Sequence, residues 1–110
     1  MTRDVRRLDD LVAYLGRDTA AEMMRKAIDG LGRNMTDLRA AADPTVIRRL
    51  AHTIKGLAAM YGLNELAEGA AAIEAANGPA VGDRVAALDG LVTDAVRDLT
   101  TFMSGLSAAT

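Results

Sequence analysis

The chain of 110 residues contains no cysteine, no tryptophan and a single histidine, His52. The absence of cysteine excludes a disulfide framework, a thiolate nucleophile and cysteine-ligated zinc or iron–sulfur sites. One histidine without cysteine cannot build a usual structural zinc site, and it leaves a single imidazole for acid–base or nucleophilic chemistry. These absences exclude many classes of enzyme and make His52 the residue of greatest interest.

The chain also has few aromatic residues, little excess of one charge and no long apolar run. Only Tyr14, Tyr61 and Phe102 are aromatic, which argues against a stacking platform for single-stranded nucleic acid. Thirteen basic and fifteen acidic residues give a net charge of −2, unlike the basic surface of a nucleic-acid binder. No run approaches the roughly 18 apolar residues of a membrane span, and the charged start lacks the apolar segment of a secretory signal. We therefore expect a cytoplasmic protein that binds neither nucleic acid nor membrane.

The residues that are present favour helices. Half of the chain is hydrophobic and a quarter is charged, which is typical of a globular protein, and the length suits one domain covering 1–110. Alanine is abundant; it has the best intrinsic helix propensity, and its small side chain lets helices approach closely. With only two prolines and few β-branched runs, the sequence predicts an all-α fold.

Apolar periodicity and helix-end residues predict a short N-terminal helix followed by four long ones. The predicted spans are about 4–15, 19–38, 43–61, 64–76 and 80–105. The second helix opens at Thr19, which has the spacing of a capping box with Glu22, and it can kink at Gly30 and Gly32. Short connections between long helices predict an up-and-down antiparallel four-helix bundle, with the short helix covering one end.

Helical phase places His52 on the side of its helix that faces away from the core. The apolar arc of that helix contains Ile47, Leu50, Ala51, Ile54, Leu57, Ala58 and Tyr61. Lys55 and Arg49 are three residues from His52 and Arg48 is four, so all three cations can lie beside the imidazole. Such a cluster suits an anion that is formed on the ring or delivered to it. An exposed histidine without any role remains the alternative at this stage.

Gly56 lies one turn beyond His52 on the same face. A glycine inside a helix costs about 1 kcal/mol relative to alanine, so its presence needs a reason. Together with the small residue Ala59, it leaves clearance through which the surface of a partner can reach the histidine.

The segment AHTIKGLAAMYG, from Ala51 to Gly62, resembles the signature of histidine phosphotransfer (HPt) domains. The family pattern is His, two residues, Lys-Gly, five residues and Gly, followed by a helix that bears leucine, and Leu63 and Leu66 supply the leucines here. One departure is Leu57, where the family commonly has a small polar residue such as serine. The resemblance covers essentially the whole chain, and it implies a four-helix bundle.

The resemblance also implies a function and its residues. His52 is expected to be the phosphorylated nucleophile, and Lys55 is expected to offset charge on the phosphoryl group, with help from Arg48 and Arg49. Gly56 and Ala59 would let a receiver domain dock. The implied partners are the receiver domains of response regulators or hybrid sensor histidine kinases. We expect the chain to act as a monomer that needs no cofactor, because the receiver brings magnesium.

Two alternatives belong to other functional classes. One is a helical protein-interaction module, or a degenerate HPt domain, in which no phosphoryl group is transferred. The other is a self-contained enzyme, which the residues support poorly: Ser104 and Ser107 lie outside any nucleophile-elbow motif. Asp9 and Asp10 form a solvated helix face more readily than a catalytic pair. The chain has no phosphate-binding loop for ATP, so we expect a phosphate carrier rather than a kinase.

Overall fold

The computed structural model describes residues 5–108, and within them it contains five α-helices and no strand. The helices are α1 (Val5–Leu15), α2 (Arg17–Ala40), α3 (Pro44–Met60), α4 (Asn64–Ala75) and α5 (Ala80–Ala108). The predicted all-α fold is confirmed, and the helix ends agree with the sequence patterns to within three residues. Residue 4, where the first helix was expected to begin, lies outside the described residues.

Helices α2 to α5 close a ring in which each helix packs on its neighbours along the chain and α2 packs on α5. The connections between them are only three or four residues long, so successive helices run in opposite directions. The result is an up-and-down four-helix bundle with an apolar core. The largest fully buried side chains of α2 to α5 are Met24, Leu31, Met35, Leu38, Ile54, Leu66, Ile73, Leu88 and Leu99. Among the described residues, no helix is long and apolar enough to cross a membrane.

The short helix α1 covers one end of this bundle. Its Leu8 is completely buried in the common core. The Nε of Arg7 donates a hydrogen bond of 2.9 Å to the carbonyl oxygen of Met60, the last residue of α3. Because the final carbonyls of a helix have no partner within it, this bond caps α3. The chain turns from α1 into α2 at Gly16, whose φ of 88° is readily adopted only by glycine.

Helix α2 begins earlier than the sequence suggested, and the predicted capping box at Thr19 is wrong. The helix starts at Arg17, and Gly16 precedes it without a side-chain cap. The reason lies in the main chain: the amide of Ala20 already donates to the carbonyl of Gly16 at 3.0 Å. Helical hydrogen bonding is therefore established before Thr19 could act as a cap.

The two glycines in the middle of α2 do not end the helix, which continues unbroken to Ala40. Gly30 is buried, and a Cβ atom there would lie 3.4 Å from Cδ1 of Leu57 on α3. The glycine thus lets the two helices approach closely where Leu57 replaces the small residue that is common in HPt domains. Packing against Leu57 therefore leaves room for only a small residue at this position, and α2 does not break there.

Helix α3 has well-defined ends. Asp43 caps the start, since its Oδ1 accepts a hydrogen bond of 2.8 Å from the amide of Thr45, and Pro44 is the first helical residue. The predicted start of this helix is confirmed. At the other end the chain leaves through Gly62, with φ of 69°, and the amide of Leu63 donates to the carbonyl of Ala58 at 2.9 Å.

Candidate functional site

His52 projects into solvent from the middle of α3. Its side chain is 72% exposed, whereas Leu50, Ala51, Ile54 and Ala58 of the same helix are buried. The outward direction expected from helical phase is therefore confirmed. Burial of one face of α3 holds the helix, and the imidazole is carried on the opposite face, where a partner can reach it.

Glu74 on α4 contacts both His52 and Lys55, and sequence analysis did not identify it. Oε2 of Glu74 lies 3.2 Å from Nδ1 of His52, and Oε1 lies 3.0 Å from Nζ of Lys55. The carboxylate is only 26% exposed, because it sits along the line where α3 packs on α4. One carboxylate therefore links the imidazole to the ammonium group.

This arrangement favours the charged form of Glu74. The neighbouring Lys55 ammonium is the main cause that lowers the pKa of the Glu74 carboxyl, and the contact with His52 lowers it further. Partial burial opposes both effects without reversing them. Glu74 is therefore an ionised carboxylate at neutral pH, able to accept hydrogen bonds but not to donate them.

The other two predicted cations lie on the exposed side of α3 but are not part of this cluster. Arg48 and Arg49 are both exposed, and within residues 5–108 their guanidinium groups form no hydrogen bond or ion pair. Lys55 differs from them, because it is 38% exposed and already paired with Glu74. The site thus contains one fixed cation beside the histidine and two guanidinium groups available to an anionic partner.

Gly56 and Ala59 provide the open surface that the sequence suggested. Both are exposed, and a Cβ atom added at Gly56 would meet no other atom within 4 Å. Packing inside the bundle therefore does not require a glycine at this position. Met60, one turn further along the same face, is 43% exposed, and sequence analysis assigned it no role.

Glu74 could not be identified from the sequence, because its contacts depend on how α4 is rotated against α3. It directly follows Ile73, a core residue, so it lies at one edge of the apolar stripe of α4. The periodicity of α4 shows that edge, but it does not show which edge faces α3. The signal available in the sequence was an acidic residue at the border of the apolar stripe of α4, the helix that follows the one bearing His52.

The described part of the chain has no group of three or more His, Cys, Asp or Glu side chains that could hold a metal ion. The cluster formed by His52, Glu74 and Lys55 contains one imidazole, one carboxylate and one ammonium group. Such a set can provide a nucleophilic ring nitrogen, a partner for the other ring nitrogen, and positive charge for an anion.

The chain matches the model of a known protein family. The model of the Hpt domain matches residues 7–100, which run from α1 into α5 and include His52, Lys55 and Glu74. A search of curated proteins and a search of solved structures gave no match. The matched region covers most of the chain and the whole candidate site.

Proposed function

Since this chain belongs to the Hpt domain family, we propose that it relays a phosphoryl group between receiver-domain aspartates through a phosphohistidine at His52. The observation that carries the proposal is the exposed imidazole in the middle of α3, with the Lys55 ammonium held beside it by Glu74. In this proposal residues 1–110 form a single HPt domain that acts as a cytoplasmic monomer.

The transfer uses one ring nitrogen of His52 as the nucleophile. By resemblance to the family this is Nε2, whose lone pair attacks the phosphorus of an aspartyl phosphate on the receiver. A P–N bond forms as the bond between phosphorus and the aspartate oxygen breaks, and the aspartate leaves as a carboxylate. In the second transfer an aspartate of another receiver attacks the phosphorus, and the P–N electron pair returns to the ring.

The cations around His52 stabilise the charge that moves in these steps. The ammonium of Lys55 has three N–H donors, and its ion pair with Glu74 leaves others for phosphoryl oxygens. Arg48 and Arg49 lie before His52 on α3, and their guanidinium groups have no partner within the described residues, so we assign them to contacts with the acidic surface of the receiver. The receiver is expected to bring its own magnesium ion.

Hpt domains are phosphocarrier modules rather than kinases, and this family membership agrees with a chain that obtains its phosphoryl group from a partner. The proposed partners are receiver domains of response regulators or of hybrid sensor histidine kinases. Gly56 and Ala59 place no large side chain on the approach to His52, which suits a partner that closes over the imidazole.

The experiment is incubation of the protein with a receiver domain carrying radioactive phosphate. We expect label on the protein that is stable in base and labile in acid, as a phosphoramidate is. His52→Gln should abolish the label and retain the helical circular dichroism of the wild type, because this side chain is exposed and outside the core. Equal labelling of His52→Gln would refute the proposal. Receiver binding without transfer would instead support an interaction module.

A further inference from the structure

We propose that Asn77 is a site of spontaneous deamidation, and that the carboxylate formed there weakens the contribution of Arg48 to receiver binding. The modification itself needs no partner, whereas its effect on receiver binding rests on the proposed function. Asn77 and Gly78 lie in the connection between α4 and α5, to which the proposed transfer assigns no role.

The reaction is an intramolecular substitution at the side-chain carbonyl of Asn77. Hydroxide removes the proton of the Gly78 amide, and the amide nitrogen attacks Cγ of Asn77 to form a succinimide ring. The bond between Cγ and Nδ2 breaks, and Nδ2 takes a proton from water, so that ammonia leaves and hydroxide is regenerated. Water then opens the ring at either carbonyl, which leaves aspartate or isoaspartate at position 77. Water is the only reagent consumed.

Both reacting groups are free in the folded protein. The last main-chain bond at the end of α4 runs from the amide of Ala76 to the carbonyl of Ile73, at 3.1 Å. Asn77 and Gly78 are exposed, and among the described residues neither the side chain of Asn77 nor the amide of Gly78 forms a hydrogen bond. Gly78 has φ of 61° and no Cβ atom, so no side chain of its own shields the attacking nitrogen.

Two other pairs place glycine after a side chain that can close the same ring, and both lie inside helices. They are Asp29-Gly30 in α2 and Asp89-Gly90 in α5. Within a helix the main-chain amide is committed to a carbonyl four residues earlier, and the rigid backbone holds it away from the preceding side chain. The connection after α4 lacks this protection.

The other two asparagines are less reactive for reasons that the structure shows. Asn34 lies within α2, and its Nδ2 donates a hydrogen bond of 2.7 Å to the carbonyl of Gly30. Asn64 is the first residue of α4 and is followed by glutamate. Asn77 is therefore the asparagine of this sequence that combines a following glycine with a position outside the helices.

The side chain of Asn77 lines a cavity together with Arg48. The cavity has a volume of about 280 Å³ and lies between the first turns of α3 and the end of α4. Arg48 and Asn77 are the two residues of its lining that have polar side chains. Deamidation places a negative charge in this cavity, where it attracts the unpaired guanidinium. The pair presents less positive charge to the receiver than Arg48 does alone.

Mass spectrometry of aged protein tests the modification. The protein is kept in mildly alkaline buffer, sampled over days and cleaved after glutamate, which places Asn77 in the segment 75–110 and the other two asparagines in 23–65. The chain has no glutamine, so each gain of one mass unit arises at an asparagine. We expect this gain to be about tenfold faster or more in 75–110 than in 23–65. Equal rates in the two segments, or no gain in 75–110, would overturn the proposal.

Asn77→Ser is the matched control, because it removes the side-chain amide and keeps a small polar residue. Its segment 75–110 should gain no mass, and the aged wild type should give separate chromatographic peaks for aspartate and isoaspartate. The variant should retain the helical circular dichroism of the wild type, since Asn77 is exposed and lies outside the helices. A mass gain in 75–110 of this variant would place the reaction at a residue other than Asn77 and refute the assignment.

Asn77→Asp supplies the product charge directly and tests its consequence. At low salt this variant should bind the receiver about twofold to threefold more slowly than the wild type, and adding Arg48→Ala to both proteins should remove the difference. Asn64→Asp adds the same charge at the opposite end of α4 and controls for net charge. Equal slowing by Asn64→Asp, or a difference that persists with Arg48→Ala, would refute the link to Arg48.

The outcomes separate the two proposals. A protein whose segment 75–110 gains mass but that accepts no phosphoryl group would refute the proposed function and leave the modification in place. A protein that transfers phosphoryl groups but shows no such gain would refute the modification and leave the proposed function in place.

Discussion

The ammonium of Lys55 lies 3.0 Å from Oε1 of Glu74, so a cation beside the proposed phosphorylation site is held in place before any phosphoryl group arrives. A free lysine side chain loses rotamer freedom when it binds an anion, at a cost of up to about 2 kcal/mol. At this site part of that ordering has already occurred in the resting protein. The Glu74 carboxylate pairs with the Lys55 ammonium and fixes its position.

Replacing Lys55 tests how much this fixed charge contributes. Lys55→Ala should slow phosphoryl transfer by about tenfold or more, because one cation directed at the transferring group is lost. Its free energy of unfolding should fall by less than about 1 kcal/mol, since the ion pair is partly exposed. The measurements are single-turnover transfer from a phosphorylated receiver and unfolding in urea.

Lys26→Ala is the matched control for this substitution. Lys26 is the only other lysine, and it forms a longer and more exposed ion pair, of 3.7 Å, with Glu22 on α2. Transfer by Lys26→Ala should equal that of the wild type. If both lysine variants transfer at the wild-type rate, Lys55 has no role in stabilising the phosphoryl group.

Substitutions at Gly56 distinguish an effect on the stability of the protein from an effect on docking of the receiver. Gly56→Ala should raise the free energy of unfolding by about 0.5–1 kcal/mol, because alanine favours the helix and a Cβ atom there meets nothing. Gly56→Leu should remain folded, yet its side chain would occupy the approach to His52. We expect the half-saturating receiver concentration for Gly56→Leu to rise by about tenfold, the equivalent of about 1.4 kcal/mol.

Gly32 provides the control, since it is another exposed helical glycine with open space around it. Its carbonyl accepts from Thr36, which bonds to Arg39, and Arg39 pairs with Asp89 of α5. Gly32 therefore belongs to the α2–α5 side of the ring, opposite the α3–α4 side that bears His52. The Gly32→Leu variant should bind the receiver as well as the wild type does. If Gly56→Leu also binds the receiver as well as the wild type, Gly56 does not provide clearance for docking.

Arg48 and Arg49 should act mainly on the rate of association. Exposed charges at the edge of an interface steer encounter, and salt weakens their effect. The double variant Arg48→Ala/Arg49→Ala should bind the receiver more slowly at low salt and should show a weaker salt dependence than the wild type. Stopped-flow binding at several salt concentrations measures both. Arg33→Ala on α2 is the control, and an unchanged salt dependence in the double variant would exclude steering by these residues.

The pH dependence of stability follows from the lowered pKa of Glu74. A carboxyl whose pKa is lower in the folded state stabilises the protein above its ordinary value of 4.5, and this contribution is lost as the pH falls through the folded-state value. At about pH 7 the wild type should exceed Glu74→Gln in free energy of unfolding, within the 0–1 kcal/mol typical of exposed pairs. Toward about pH 3 the difference should shrink. The comparison is repeated with Lys55→Ala added to both the wild type and Glu74→Gln. The difference in free energy of unfolding at neutral pH should then be smaller, because Lys55 is the leading cause of the lowered pKa of Glu74.

The fold was largely predictable because it depends on patterns along single helices. Apolar periodicity located the helices, Asp43 and Pro44 marked the start of α3, and helical phase gave His52 its outward direction. The start of α2 was not predictable from Thr19, because backbone hydrogen bonding from Gly16 replaces a side-chain cap. Each of these features depends on residues that are close in the sequence.

The candidate site was only half predictable, because part of it joins two helices. Lys55 is one turn from His52, so its proximity follows from the helix itself. Glu74 is 22 residues away, and its contact with His52 depends on the rotation of α4 against α3. Arg48 and Arg49 share the exposed face with His52, but the periodicity could not show that, of these three cations, Lys55 is the one paired with a carboxylate in the described residues.

The contact between Gly30 and Leu57 has a consequence for how related sequences can change. Leu57 occupies space that a side chain larger than alanine at position 30 would need. A relative with serine at the position of Leu57 has no such restriction, and larger residues become acceptable opposite it. The two positions should therefore vary together among relatives of this chain, although 27 residues separate them and only one belongs to the segment that identifies the family.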